Sequence, residues 1–160
     1  MQIDSTRFGP VEIDDGQILT FPDGLIGLPG ARYALLARNE QLPFLWLHSI
    51  DDPELAVPVT SPWLFVSDYD VRVPDEDVRK LGLASADDVE ILCVVRASGA
   101  LEDFSINLAA PVVIHRGARL GHQVINESRG YSVRHPLFSE VELEAVRSSE
   151  SAVPVAAAGG

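Results

Sequence analysis

The segment from Phe44 to Tyr69, FLWLHSIDDPELAVPVTSPWLFVSDY, decides the fold, because its short apolar runs are cut by acidic and proline punctuation. Phe44, Trp46 and His48 fall on one face of an extended segment and Leu45 and Leu47 on the other. Both faces therefore carry apolar groups, as in a strand sandwiched between two layers. Asp51-Asp52-Pro53 forces a turn, since aspartate side chains cap their own backbone and the proline ring fixes φ. The run from Leu55 to Thr60 then returns antiparallel to the first. Pro58 interrupts that run and cannot donate to a ladder, which predicts an edge strand or a bulged one, and edges are where partners add.

Outward from this hairpin, strand-like runs recur at 2–5, 11–13, 18–21, 33–37, 89–96, 105–108, 112–115 and 123–126, with Gly or Pro between most of them. That spacing predicts a mainly β, compact single-domain protein, an antiparallel β-barrel or sandwich. One short helix fits inside it. Pro74-Asp75-Glu76-Asp77 supplies a start with acids in the first turn, Val78 and Leu81 an apolar stripe, and Gly82 a stop. Ser139-Glu140-Val141-Glu142 is a capping-box pattern ahead of Leu143 and Val146, and predicts an exposed C-terminal helix. From Ser148 the text SSESAVPVAAAGG reads as a mobile small-residue tail. The expected organisation is one β-barrel domain over residues 1–138, then an acidic helix and Ala/Gly tail over 139–160.

With 160 residues, 46% of them hydrophobic, the chain is long enough to bury a core without disulfides or metal. No apolar run approaches the roughly 20 residues needed to span a bilayer. The N-terminus lacks the basic and apolar regions of a secretion signal, which implies a cytoplasmic protein without a membrane partner. The net charge of −12, with Lys80 as the one lysine, argues against direct nucleic-acid binding. It favours basic partners or simple solubility. Between Asp51 and Asp103 thirteen acids face Arg72, Arg79, Lys80 and Arg96, whereas residues 116–135 carry four arginines and only Glu127.

Few residues point to chemistry. Gly24, Gly27 and Gly30 have the wrong spacing for a phosphate loop, and Pro29 removes an amide a phosphate would need, so they read as turn glycines. His48, His115, His122 and His135 have no metal-ligand spacing, and no cofactor is expected. Asp14-Asp15, Asp51-Asp52 and Asp87-Asp88 are adjacent, so on a strand they point to opposite faces and read as turn formers. Cys93, inside ILCVV, reads as a buried inert thiol. Arg134-His135-Pro136-Leu137 after Tyr131 admits two readings, a binding lip or an arginine satisfying backbone carbonyls. Asp68-Tyr69-Asp70 and Asn107 are likewise either surface anchors or turn-stabilising groups. Nothing here makes a positive case for an enzyme.

Taken together, the segments resemble the flagellar assembly factor FliW family. They run in order as FGPVEI from Phe8, TFPDGLIGLPG from Thr20, WLHSIDDPELA from Trp46 and PWLFVSDY from Pro62. PDEDVRKLGL from Pro74, INLAAPVVI from Ile106, GHQVI from Gly121 and YSVRHPL from Tyr131 complete the series. The resemblance covers residues 2–138 and departs at three places. His48 stands where the family carries glutamine, His115 where it carries asparagine, and Pro58 interrupts an aliphatic run. It implies a non-enzymatic regulator, a monomer by itself, that binds flagellin and a CsrA-type RNA-binding translational regulator. By binding the regulator away from its RNA surface it relieves repression of flagellin synthesis, until unexported flagellin reclaims it. The acidic composition fits such an antagonist of a basic protein, and Asp75, Glu76, Asp77, Asp87 and Asp88 are its candidate negative face. Asp68, Tyr69, Asn107, Arg134 and His135 are further candidate contacts. Two alternatives remain: a small β-barrel enzyme or ligand carrier with its pocket inside the barrel, and a flagellin chaperone without a regulator partner.

Overall fold

The structure, a computed structural model, describes residues 1–28, 30–37, 43–97, 99–139 and 142–145. Strands β1 (Gln2–Ser5), β2 (Gly9–Glu12), β3 (Ile18–Thr20), β4 (Arg32–Leu36), β5 (Leu45–Ser49) and β6 (Ala56–Thr60) precede the helix α1 (Asp75–Leu81). After it come β7 (Val89–Arg96), β8 (Ser105–Ile106), β9 (Val112–His115), β10 (Leu120–Gln123) and β11 (His135–Pro136). Strands β3 to β7 pair in sequence order, and β9 and β10 close the ring between β7 and β3 into a seven-stranded barrel. Every seam of the ring is antiparallel except β3 with β10. An odd number of strands cannot alternate direction all the way round, so closure requires one parallel pair.

The β5–β6 hairpin forms as its sequence dictates. Ser49 Oγ accepts from the amides of Asp51 and Asp52 at 3.2 and 3.0 Å, and Asp52 Oδ1 accepts from the Glu54 amide at 2.9 Å. These side chains hold the turn that Pro53 begins. Leu47 points into the barrel with Phe21, Tyr33, Val59 and Val112, all with no exposed surface. Trp46 and His48 point outward and are covered by the β1–β2 hairpin through Ile3, Val11 and Phe8. Each such fully buried side chain contributes about 1.5–3 kcal/mol.

Pro58 does not mark an edge, because β6 has ladder partners on both sides. The Ser49 amide donates to the Leu55 carbonyl at 2.9 Å, so alternation makes Trp46 and Pro58 a pair that exchanges no hydrogen bonds. The missing N–H therefore faces β7. There the ladder consists only of Val59 with Val94 and Thr60 with Cys93 and has already ended. An interior strand tolerates the ring at that one position.

Helix α1 starts at Pro74 and ends at Gly82, whose φ of 65° is left-handed; the Leu83 amide closes the turn on the Val78 carbonyl at 3.0 Å. Leu81 is buried against Val113 and Val124 on the outside of the barrel. The strand expected over 123–126 lies earlier, at Leu120–Gln123. Its ladder with β9 is nevertheless continued by backbone bonds from Val124 to Pro111 and from Asn126 to Ala109, so the segment is extended in the expected register. The strand expected over 105–108 is reduced to Ser105–Ile106, since the Leu108 amide turns to Ser132. At the C-terminus the capping box is made: Ser139 Oγ accepts from the Glu142 amide and Glu142 Oε1 from the Ser139 amide. Residues 142–145 are helical, and Leu143 is buried rather than exposed. Pro29, Glu140, Val141, Val146 and the expected tail from Ser148 lie outside the described residues.

Candidate protein-binding surface

The connection from β6 to α1, residues 61–74, crosses the outside of the barrel and is fastened there by buried polar groups. Asn126 is the main clamp. Its Oδ1 accepts from the amides of Arg72 at 2.9 Å and Ser128 at 3.0 Å, and its Nδ2 donates to the Asp70 carbonyl at 2.9 Å. The Tyr69 hydroxyl donates to the Leu108 carbonyl at 2.6 Å, and the Tyr131 hydroxyl accepts from the Asp70 amide at 2.8 Å. The rings of Tyr69 and Tyr131 meet edge to face at 4.7 Å. Burial and the neighbouring Cys93 hold the Tyr69 hydroxyl well above the ordinary phenol range. Burial likewise pushes the Cys93 thiol up to about 12, as an inert core thiol requires.

Beside this connection lies an open cleft of about 610 Å³, bordered by Trp63, Val71, Val73 and Ile91, with Asp70, Glu90 and Arg116 at its rim. Trp63 is 42% exposed while its indole N–H donates to the Tyr69 carbonyl at 2.9 Å, so the ring is fixed in an open position. A second cavity, about 500 Å³, lies where β7, β8 and β11 meet and is lined by Arg96, Ser105, Arg134 and Pro136 together with Glu102 and Asp103. The register places Arg96, Ser105 and Pro136 in one row across the three strands, with Arg134 on the same face.

The candidate contacts do not gather at one point. Tyr69 is a correction: it is 5% exposed and its hydroxyl bonds inward, so it is a core residue and not a surface anchor. Asp68 is exposed at the turn from Val66 to Tyr69. Asn107 is half-buried, and its Oδ1 accepts from the amides of Ala109 and Ala110 at 3.2 and 3.0 Å, the turn-stabilising alternative. Arg134 is exposed, and His135 is half-buried as part of β11.

The five acids divide between two elements. Asp75 and Glu76 are exposed on α1, and Glu76 lies 3.7 Å from Lys80. Lys80 also meets Asp23 at 3.4 Å, and Asp23 followed by Glu76 raises the ammonium above its ordinary range. Asp77 turns inward to His122, with Oδ1 at 3.0 Å from Nε2. Asp87 and Asp88 instead form the turn before β7 that Ser85 caps, next to the Arg116 amide, which donates to the Asp88 carbonyl at 2.9 Å. Among the described residues no cluster of three or more His, Cys, Asp or Glu is arranged to hold a metal ion.

Sequence reading missed the two amides that build this surface. Gln123 joins the Ile26 amide at 2.9 Å to the Ala110 carbonyl at 3.0 Å, and Asn126 does the same for the 69–72 segment. The available signal was two amides in the run GHQVINES, where an outward strand face would not conceal them.

The barrel interior is thus packed with side chains, the 61–74 segment is braced across its outside, and the open clefts lie on that outer surface. The family model described as "FliW protein" matches residues 2–137. The chain belongs to the FliW family. The flagellar assembly factor FliW of Thermotoga neapolitana is 39% identical over 140 residues, 86% of this chain and 94% of that protein. The FliW of Magnetococcus marinus is 39% identical over 142 residues, 88% of this chain and 86% of the relative. A crystal structure of a flagellar assembly factor FliW superposes with a TM-score of 0.79 at 29% identity, covering 88% of this chain and 99% of the other. These FliW relatives are named as assembly factors rather than as enzymes. No described helix is long and apolar enough to cross a membrane.

Proposed function

We propose that this FliW-family chain is a cytoplasmic, non-enzymatic regulator that binds flagellin and antagonises a CsrA-type RNA-binding translational regulator. The observation that carries the reading is family membership over nearly the whole domain. The packed barrel adds to it: the middle of the interior is taken up by Phe21, Tyr33, Leu47, Val59 and Val112, side chains with no exposed surface to line a ligand pocket. Free factor binds the regulator away from its RNA surface and relieves repression of flagellin synthesis. Accumulated flagellin takes the factor back.

The net charge of −12 suits this role. An RNA-binding protein must be basic, so an acidic antagonist gains encounter rate by steering. Charge repulsion of RNA is short-ranged, because the Debye length at physiological salt is about 8 Å. The test is titration of purified factor with flagellin and with a CsrA-type regulator at two salt concentrations, using wild type and a variant with Asp75, Glu76, Asp77, Asp87 and Asp88 neutralised. Weaker regulator binding and impaired RNA release in the variant are expected. Unchanged affinity and unchanged RNA release would remove the five acids from the mechanism. Binding to flagellin alone would reduce the protein to a flagellin chaperone, and binding to neither would overturn the reading.

A further inference from the structure

We propose that the cleft beside β7 is a strand-docking site, taking an extended segment of a partner polypeptide in which basic and apolar side chains alternate. On one side of β7 the Arg116 amide donates to the Asp88 carbonyl and the Asn107 amide to the Val94 carbonyl, both at 2.9 Å. Alternation therefore turns the even-numbered backbone groups of β7 toward β9 and β8, and the odd-numbered ones toward β6. Cys93 meets Thr60 there. Two steps on, the register would set Ile91 against Pro62, which has no N–H and instead starts the 3-10 helix Pro62–Leu64.

The N–H and C=O of Ile91 are thus turned into the cleft with no hydrogen-bond partner among the described residues. That is half a ladder, waiting for a strand. Trp63, Val71 and Val73 supply an apolar wall for alternate side chains of an added strand. The rim sets the charge of the occupant. Arg72 and Arg116 are engaged with Asp70 and Glu90, each pair at 3.7 Å, while Asp87 and Asp88, in the turn between the lining residues Ala86 and Val89, have no ion pair among the described residues. A basic strand is complementary to that rim, whereas a second copy of this chain, at −12, would meet like charge.

This deepens the proposed protein-binding role and rests on it only in taking a polypeptide as the ligand. The experiment titrates the full chain with two labelled hexapeptides, one alternating Lys and Val and one alternating Glu and Val. Fluorescence anisotropy reports binding, and amide hydrogen exchange reports Ile91. The Lys peptide should bind and slow exchange at Ile91, and Ile91→Pro should weaken it at least about tenfold while leaving the Glu90 and Leu92 bonds to β9 in place. Thermal melting checks the fold. If Ile91→Pro fails to fold, the Asp87→Lys/Asp88→Lys variant decides, with weaker Lys-peptide and stronger Glu-peptide binding expected. Unprotected Ile91 at saturation, or equal binding of both peptides, overturns the docking site. Flagellin or regulator binding that leaves Ile91 unprotected would overturn the site and spare the proposed function; peptide docking with neither protein bound would do the reverse.

Discussion

His48 has no exposed surface, yet both ring nitrogens are satisfied: Nε2 lies 2.8 Å from Ser5 Oγ and Nδ1 2.8 Å from the Ser49 carbonyl. Because Nδ1 must donate to the carbonyl, Nε2 accepts from Ser5, whose oxygen in turn accepts from the amides of Arg7 and Phe8. One side chain ties the β1–β2 hairpin to the barrel. His48→Ala is expected to cost about 2–4 kcal/mol in urea unfolding, through the cavity and the stranded hydroxyl. His48→Gln, the residue the family pattern carries there, keeps a group able to reach Ser5 and should cost under about 1.5 kcal/mol. Equal losses would mean the ring serves only to fill space.

Gly121 shows a different constraint at the same scale. A Cβ there would stand 2.3 Å from Cε1 of Phe21, a ring with no exposed surface in which to move. Gly121→Ala should therefore destabilise by about 1–3 kcal/mol, as overpacking does. A melting temperature equal to wild type would show that Phe21 can yield.

At the scale of elements, prolines shape β6 more than its side chains do. Pro58 and Pro62 stand at the two positions flanking Thr60 where β6 would next exchange hydrogen bonds with β7, so the shared ladder is limited to Val59 and Thr60. The sheet's other boundary, β11, is two residues long. The Leu137 amide donates to the Phe104 carbonyl at 3.0 Å, so alternation turns Pro136 outward with no N–H to offer. One free edge is thereby blunted, while the β7 edge stays open. Helix α1 offers a separate test, because a Cβ on Gly82 would meet nothing within 4 Å although φ is 65°. Gly82→Ala should cost about 1 kcal/mol from backbone strain alone, read as a lower denaturant midpoint with unchanged slope.

For the whole molecule, the cluster packed between the outer face of β7 and the 61–74 connection encloses neutral groups that water would ionise in alkali. Cys93 keeps its proton in the folded state up to about pH 12, against 9.0 in the open chain, and Tyr69 is shifted upward beside it. Above pH 9 the unfolded chain binds fewer protons than the folded one, so stability present below that pH is lost as pH rises toward 12. Denaturation profiles between pH 8 and 11 should show that decline, and Cys93→Ala should flatten it. Cys93 should also resist thiol reagents at pH 8 until the protein unfolds. A slope unaffected by the substitution would assign the alkaline loss elsewhere.

What the sequence determined by itself was local. Asp51-Asp52-Pro53 had to turn, α1 had to run from the acids after Pro74 to Gly82, and Ser139 with Glu142 had to cap, because each outcome depends on dihedral preferences and side chains within a few residues. The alternation around Trp46 and Leu47 likewise announced a strand covered on both faces. Only the tertiary structure decided what depends on distant partners. It placed β6 inside the sheet in spite of Pro58, because the missing donor falls where β7 has no ladder to offer. It buried Tyr69 against Leu108, and it made Gln123 and Asn126 into clamps for segments remote in sequence. It also left Ile91 open, since that depends on the register between Thr60 and Cys93. Short-range sterics write the turns and caps into the chain, whereas register, closure and exposed backbone groups exist only once the strands have met.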